Sequence, residues 1–122
     1  MKTFQGRAPW VVAVLLSACN GGDAGSGHGP AGDVASGRAL FAQHCAICHG
    51  VRGDGRGMRA GSLSSPPRDF TNPAWRDSRG PDAVFEVITR GVAATAMPAW
   101  GPVLGSSERR DLAAYVLSLA PR

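Results

Sequence analysis

Apolar residues recur at helical spacing in three stretches of the chain, and nowhere do they alternate as in a strand. The first runs from Asp33 to His44, with Val34, Leu40 and Phe41 spaced for one helical face and Asp33 placed to cap it. The second opens at Pro81, which suits a first helical turn, carries Val84, Phe85, Val87 and Ile88, and stops at Gly91. The third is the clearest. Ser106 is placed to cap it, Glu108 complements the helix dipole, and Leu112, Tyr115, Val116 and Leu119 line one stripe. This pattern predicts an all-α fold. Between these stretches lie two loops: Gly50 to about Trp75, rich in Gly, Pro, Ser and Arg, and Val92 to Gly105, which carries Met97-Pro98-Ala99-Trp100. An irregular segment as long as the first counts against a compact domain unless it wraps something.

Before these elements the pattern changes. Met1 to Arg7 is short and basic, and Ala8 to Ala18 is almost wholly apolar, the arrangement of a secretory signal. A helix needs about 20 apolar residues to span a bilayer, so this run is short for a transmembrane segment. Its end, Leu16-Ser17-Ala18-Cys19, resembles the lipobox of bacterial lipoproteins. That resemblance implies a signal peptide over 1–18 and a lipid on Cys19. Residues 19–32 are dominated by glycine and are expected to form a flexible, lipid-anchored tether with a reach of about 20 Å. His28 lies in it and is read as solvated. The folded domain is expected over 33–122.

Composition narrows the function. A chain of 122 residues has room for one small domain, which is marginal in stability unless something staples it. The formal net charge of +4 includes Lys2 and Arg7; without them 11 basic residues face 9 acidic ones. That near-balance, with no basic run or basic helix, gives no case for nucleic-acid binding. Lys2 is the only lysine, so any positive docking surface is built from arginine. Three cysteines are an odd number for an exported chain. Cys19 accounts for one.

The other two stand in Cys45-Ala-Ile-Cys48-His49, the signature of covalent haem attachment. Two thiols separated by a helical turn add to the two vinyl groups at a porphyrin edge, and His49 is carried beneath the iron. A redox dithiol would expect a strand-then-helix context, which is missing. A zinc site would need a fourth ligand beyond Cys45, Cys48 and His49. His44 or His28 could be proposed, but neither explains the rest of the chain. For a sixth iron ligand Met97 is well placed, because Pro98 stiffens the backbone beside it and an intervening helix lets the chain cross over. Met58 is only nine residues beyond His49. His44 adjoins the attachment turn and is read as a solvated or packing residue.

From Gly37 to Leu119 the domain resembles class I cytochrome c, particularly short bacterial monohaem members. The shared features are Gly37 and Phe41 before the haem motif, a Gly-rich loop, Pro66-Pro67-Arg68-Asp69-Phe70-Thr71, Met97-Pro98-Ala99-Trp100-Gly101, and Asp111 to Val116. The resemblance implies three to four short helices around one haem c. It implies that the first and last helices cross at Gly37, with Phe41 meeting Leu112 and Tyr115. It further implies that the carbonyl of Pro66 or Pro67 accepts the Nδ1 proton of His49. Arg68 is placed to reach a haem propionate, and Trp75 or Trp100 to donate an indole N–H. Arg52, Arg56, Arg59 and Arg68 against Asp54 make the loop after the haem motif basic, a solvated loop or a docking patch for an acidic partner.

The expected function is one-electron transfer with both axial positions filled by His49 and Met97, hence a carrier and no enzyme by itself. Expected partners are a terminal oxidase, a quinol-oxidising complex or a dehydrogenase, met by a monomer on the extracytoplasmic face of a bacterial membrane. One alternative is an electron-entry subunit of a larger oxidoreductase. Another is a haem-based sensor or peroxidase-like enzyme in which Met97 leaves the iron open.

Overall fold

The computed structural model describes residues 31–122. The expected signal peptide, Cys19, His28 and the tether up to residue 30 lie outside the described residues. Those described contain five α-helices and one 3-10 turn and no strand. In chain order the helices are α1 (Val34–His44), α2 (Ala46–His49), α3 (Pro73–Asp77), α4 (Pro81–Arg90) and α5 (Ser106–Ser118), with the 3-10 turn at Ala60–Ser62. The all-α expectation holds, with five helices where three to four were expected.

Local sequence explains most boundaries. Asp33 caps α1, its carboxylate accepting the Ser36 amide at 2.6 Å. Pro81 occupies the first turn of α4, and Gly91, at φ +68°, ends it. At α5 the cap lies one residue earlier than expected. Gly105 is the N-cap, Ser106 is already helical, and the Glu108 carboxylate accepts the Gly105 amide at 2.8 Å. The carboxylate reaching back satisfies the N-cap amide, one half of a capping box, while glycine offers no side chain for the other half. Helix α3 falls where the irregular segment was expected to end. Asn72 caps it by accepting the Ala74 amide at 2.9 Å, and Pro73 starts it. The Arg76 guanidinium then ties it to the chain's end through the Ala120 carbonyl, 3.1 Å away.

Helices α1 and α5 form the centre. A Cβ on Gly37 would lie 2.0 Å from the Asp111 carbonyl oxygen, so the two backbones touch there and only glycine fits. The buried Asp111 carboxylate accepts the Asp33 amide at 2.7 Å and docks the start of α1 onto α5. Phe41 and Leu112, each 1% exposed, fill the crossing, and Phe41 meets the edge of Tyr115 at 5.2 Å. An aromatic pair of this geometry contributes about 0.5–1.5 kcal/mol beyond the area it buries. Val34 and Val87 share helical phase with core residues but are exposed. Helix α4 packs Val84 and Ile88 into the same core. It is pinned to α5 where Arg109 donates to the Thr89 hydroxyl at 2.6 Å and both Arg109 and Arg110 lie over the Phe85 ring.

Candidate functional site

One side of this core opens into a cavity of about 660 Å³. Its walls are drawn from all five helices and both loops, and are largely apolar: Ile47, Leu63, Pro66, Pro67, Phe70, Val84, Ile88 and Val116 among them. Cys45, Cys48 and His49 line it from the short helix that follows α1, and Met97 lines it from the loop after α4. Arg59, Arg68, Arg79, Trp75 and Trp100 also reach it. The structure thus brings together on one cavity every domain residue that the sequence singled out for cofactor contact. Met58, by contrast, is 96% exposed and faces away.

Helix α2 owes its position to the loop that folds back over it. The amides of Gly55, Gly57 and Arg59 donate to the carbonyls of His49, Cys48 and Ile47 at 2.8, 3.1 and 2.9 Å. A Cβ on Gly57 would lie 2.3 Å from the Ile47 carbonyl oxygen, so glycine permits this contact. The His49 ring is gripped twice. Its Nδ1 lies 3.1 Å from the Arg68 carbonyl oxygen, which can only accept, so the proton sits on Nδ1 and Nε2 keeps its lone pair. Its face stacks on Phe70, with centroids 4.6 Å apart and planes at 21°. The expected partner carbonyl was that of Pro66 or Pro67. The Pro67 carbonyl is instead against Gly55, 2.8 Å from where a Cβ would stand, so the next carbonyl along the chain, that of Arg68, reaches the imidazole.

Electrostatics favour the ligating form of the imidazole. Burial pushes the His49 pKa down, opposed in part by the Arg68 carbonyl, so the ring is neutral near neutral pH. Burial, with the neighbouring Cys48, pushes the Cys45 thiol up to about 11. A redox dithiol needs the opposite shift, toward thiolate. Nor do three His, Cys, Asp or Glu side chains gather as a metal site among the described residues, as the zinc alternative would require.

The loop carrying Met97 hangs from the end of α4. The Trp100 and Gly101 amides donate to the Ile88 and Thr89 carbonyls at 2.9 and 3.1 Å. A Cβ on Gly91 would lie 2.7 Å from the Met97 carbonyl oxygen, so this residue serves both the helix stop and the loop's close approach. Trp100 packs on His44 at 5.1 Å, which makes His44 a packing residue. Sequence reasoning gave no role to Phe70, Arg79 or Thr95, all of which line the cavity. Phe70 stands 21 residues beyond His49 in an irregular segment, where no periodicity could have pointed to it.

The donor set fits a covalently held haem: two thiols one helical turn apart, an imidazole with its free nitrogen available, a soft thioether, and apolar walls with a few arginines. Comparison with known proteins agrees. The family model described as cytochrome C oxidase, cbb3-type, subunit III matches residues 32–116. The Cbb3-type cytochrome c oxidase subunit CcoP of Azospirillum sp. is 34% identical over 91 residues, covering 73% of this chain and 29% of its own length. The chain thus spans less than a third of the oxidase subunits it matches. Cytochrome c6 of Rippkaea orientalis is 34% identical over 90 residues, 74% of each protein. The solved KustC0563 c-type cytochrome superposes with a TM-score of 0.60 at 26% identity, over 70% of this chain and 98% of that one. With this fold and this cavity, the chain belongs to the cbb3-type cytochrome c oxidase subunit III family and is a class I c-type cytochrome whose cofactor is covalently bound haem c.

Proposed function

We propose that this chain is a one-electron carrier of a bacterial respiratory or other periplasmic electron-transport chain, its haem joined to Cys45 and Cys48 with His49 and Met97 as axial ligands. The observation that carries this reading is that His49 and Met97 line one cavity from separate elements, α2 and the loop after α4. The haem, when bound, supplies the Fe(III)/Fe(II) couple. The protein's part is to tune that couple. The Arg68 carbonyl at Nδ1 fixes the imidazole plane and raises its basicity. A thioether from Met97 favours the reduced state. Apolar walls keep water from the site, and two filled axial positions leave no place for a substrate. Arg59, Arg68 and Arg79 are the cationic groups that line the cavity and would hold anionic substituents of the cofactor. Trp75 and Trp100 line it with them.

Exported and anchored through a lipid on Cys19, a monomeric carrier of this kind would exchange electrons with an oxidase, a quinol-oxidising complex or a dehydrogenase. Among the described residues no helix is long and apolar enough to cross a membrane, so an anchor would have to lie elsewhere in the chain. A second reading makes the domain the electron-entry part of a larger oxidoreductase. The similarity to cbb3-type oxidase subunits favours it.

The test is the visible spectrum of haem-loaded protein in both oxidation states. Expected is a low-spin spectrum throughout, with the weak long-wavelength band of thioether-ligated ferric haem, lost in Met97→Ala. A high-spin spectrum indifferent to that substitution would replace the carrier by the sensor or peroxidase-like alternative. Mild detergent extraction separates the two carrier readings, since a tight subunit brings its enzyme along.

A further inference from the structure

We infer that Thr95 is the positioning residue for Met97: its hydroxyl closes the loop that holds the thioether toward the cavity. The inference rests on Met97 being the sixth ligand. Val92 to Met97 form a six-residue turn in which the Val92 amide donates to the Met97 carbonyl at 3.2 Å and the Thr95 amide donates to the Val92 carbonyl at 3.2 Å. The Thr95 side chain adds two bonds across this turn. Its Oγ1 donates to the Val92 carbonyl at 2.8 Å and accepts the Met97 amide at 3.2 Å. A hydroxyl does both at once through a single oxygen atom. Thr95 is half-buried and lines the same cavity as Met97.

The turn needs such a clasp. Ala94 has φ +60°, a left-handed conformation that an L side chain disfavours, so the backbone of this turn is held against its own preference. Gly91 and the amides of Trp100 and Gly101 fasten the loop on either side of Met97. Neither fastening acts between residues 92 and 97. Thr95 does, and it bonds the Met97 amide itself.

Exogenous imidazole competes with a methionine ligand for ferric iron, so its affinity reads how firmly Met97 is presented. In haem-loaded protein, Thr95→Val keeps the shape and removes both bonds, and is expected to bind imidazole about tenfold more tightly than wild type, two hydrogen bonds being at stake. Thr95→Ser keeps the hydroxyl and is expected to stay within about twofold. Ser118→Ala serves as a control: it loses the bond of the Ser118 hydroxyl to the Tyr115 carbonyl at the end of α5, away from the Met97 loop, and is expected to leave imidazole affinity unchanged. Equal affinity in Thr95→Val and wild type overturns the inference. If wild type and Met97→Ala share one spectrum and one affinity, it is the ligand assignment that fails instead. Should Thr95→Val not assemble, exchange of the Met97 amide in wild type decides. Slow exchange that becomes fast on saturation with imidazole is expected, and one rate in both states overturns it.

Discussion

The cavity wall that carries His49 and the wall that carries Met97 hold their side chains by different means. His49 ends a helical turn, the following loop is bonded amide by amide onto that turn, and the ring itself is gripped at Nδ1 by Arg68 and on its face by Phe70. Met97 lies in a loop without regular structure, and the bonds that place it all go to its backbone: Val92, Thr95, and the close approach of Gly91. A thioether offers no strong donor or acceptor to grip, whereas an imidazole offers one nitrogen for the metal and one for the protein. On the proposed ligation, the difference teaches that one domain can hold its fifth ligand by the side chain and its sixth by the backbone alone. Any displacement of an axial ligand should therefore start on the Met97 side.

That contrast can be broken or sharpened one residue at a time. His49→Ala should have the largest effect, abolishing the low-spin spectrum in both oxidation states, while Met97→Ala should keep haem bound through His49; absorption spectra distinguish them. Gly57→Ala drives a Cβ into the Ile47 carbonyl and should cost about 2–3 kcal/mol by denaturant titration, loosening the His49 wall while leaving the thioether band in place. Gly91→Ala should cost about 2 kcal/mol, since φ +68° and a backbone neighbour at 2.7 Å both oppose a side chain, and it should weaken the thioether band. Phe70→Leu removes the stacked ring but keeps apolar volume. A loss of about 1 kcal/mol is expected, together with a changed g-tensor in the ferric electron-spin resonance as the imidazole plane gains freedom. Ala94→Gly is the smallest and has the opposite sign, with a gain of up to about 1 kcal/mol seen as a raised melting temperature, because glycine accepts φ +60° without the penalty.

Much of the site was legible in the chain because its chemistry is local. Cys45, Cys48 and His49 fall on one helical turn, and their spacing carries its own geometry. Asp33, Pro81 and Gly91 announce helix ends through bonds and dihedrals confined to a few residues. Helix α3 was equally announced by Asn72 and Pro73, but five residues give too little periodicity to stand out from a loop. The cap of α5 lies one residue before the expected hydroxyl, on Gly105, whose amide donates to the carboxylate of Glu108 three residues on.

Sequence by itself determined the fold class and the haem motif, and favoured Met97 over Met58, each from residue chemistry or from spacing. The glycine at the crossing of α1 and α5 came only with the family resemblance. Tertiary structure alone decided which carbonyl meets His49, that Phe70 stacks on it, and that Thr95 and Gly91 shape the loop beneath Met97. Those contacts join segments up to 21 residues apart through irregular backbone, where nothing repeats and a shift of one residue changes the partner. Helices declare themselves by period. The path of a loop across a cavity is settled only when the elements at both its ends are packed.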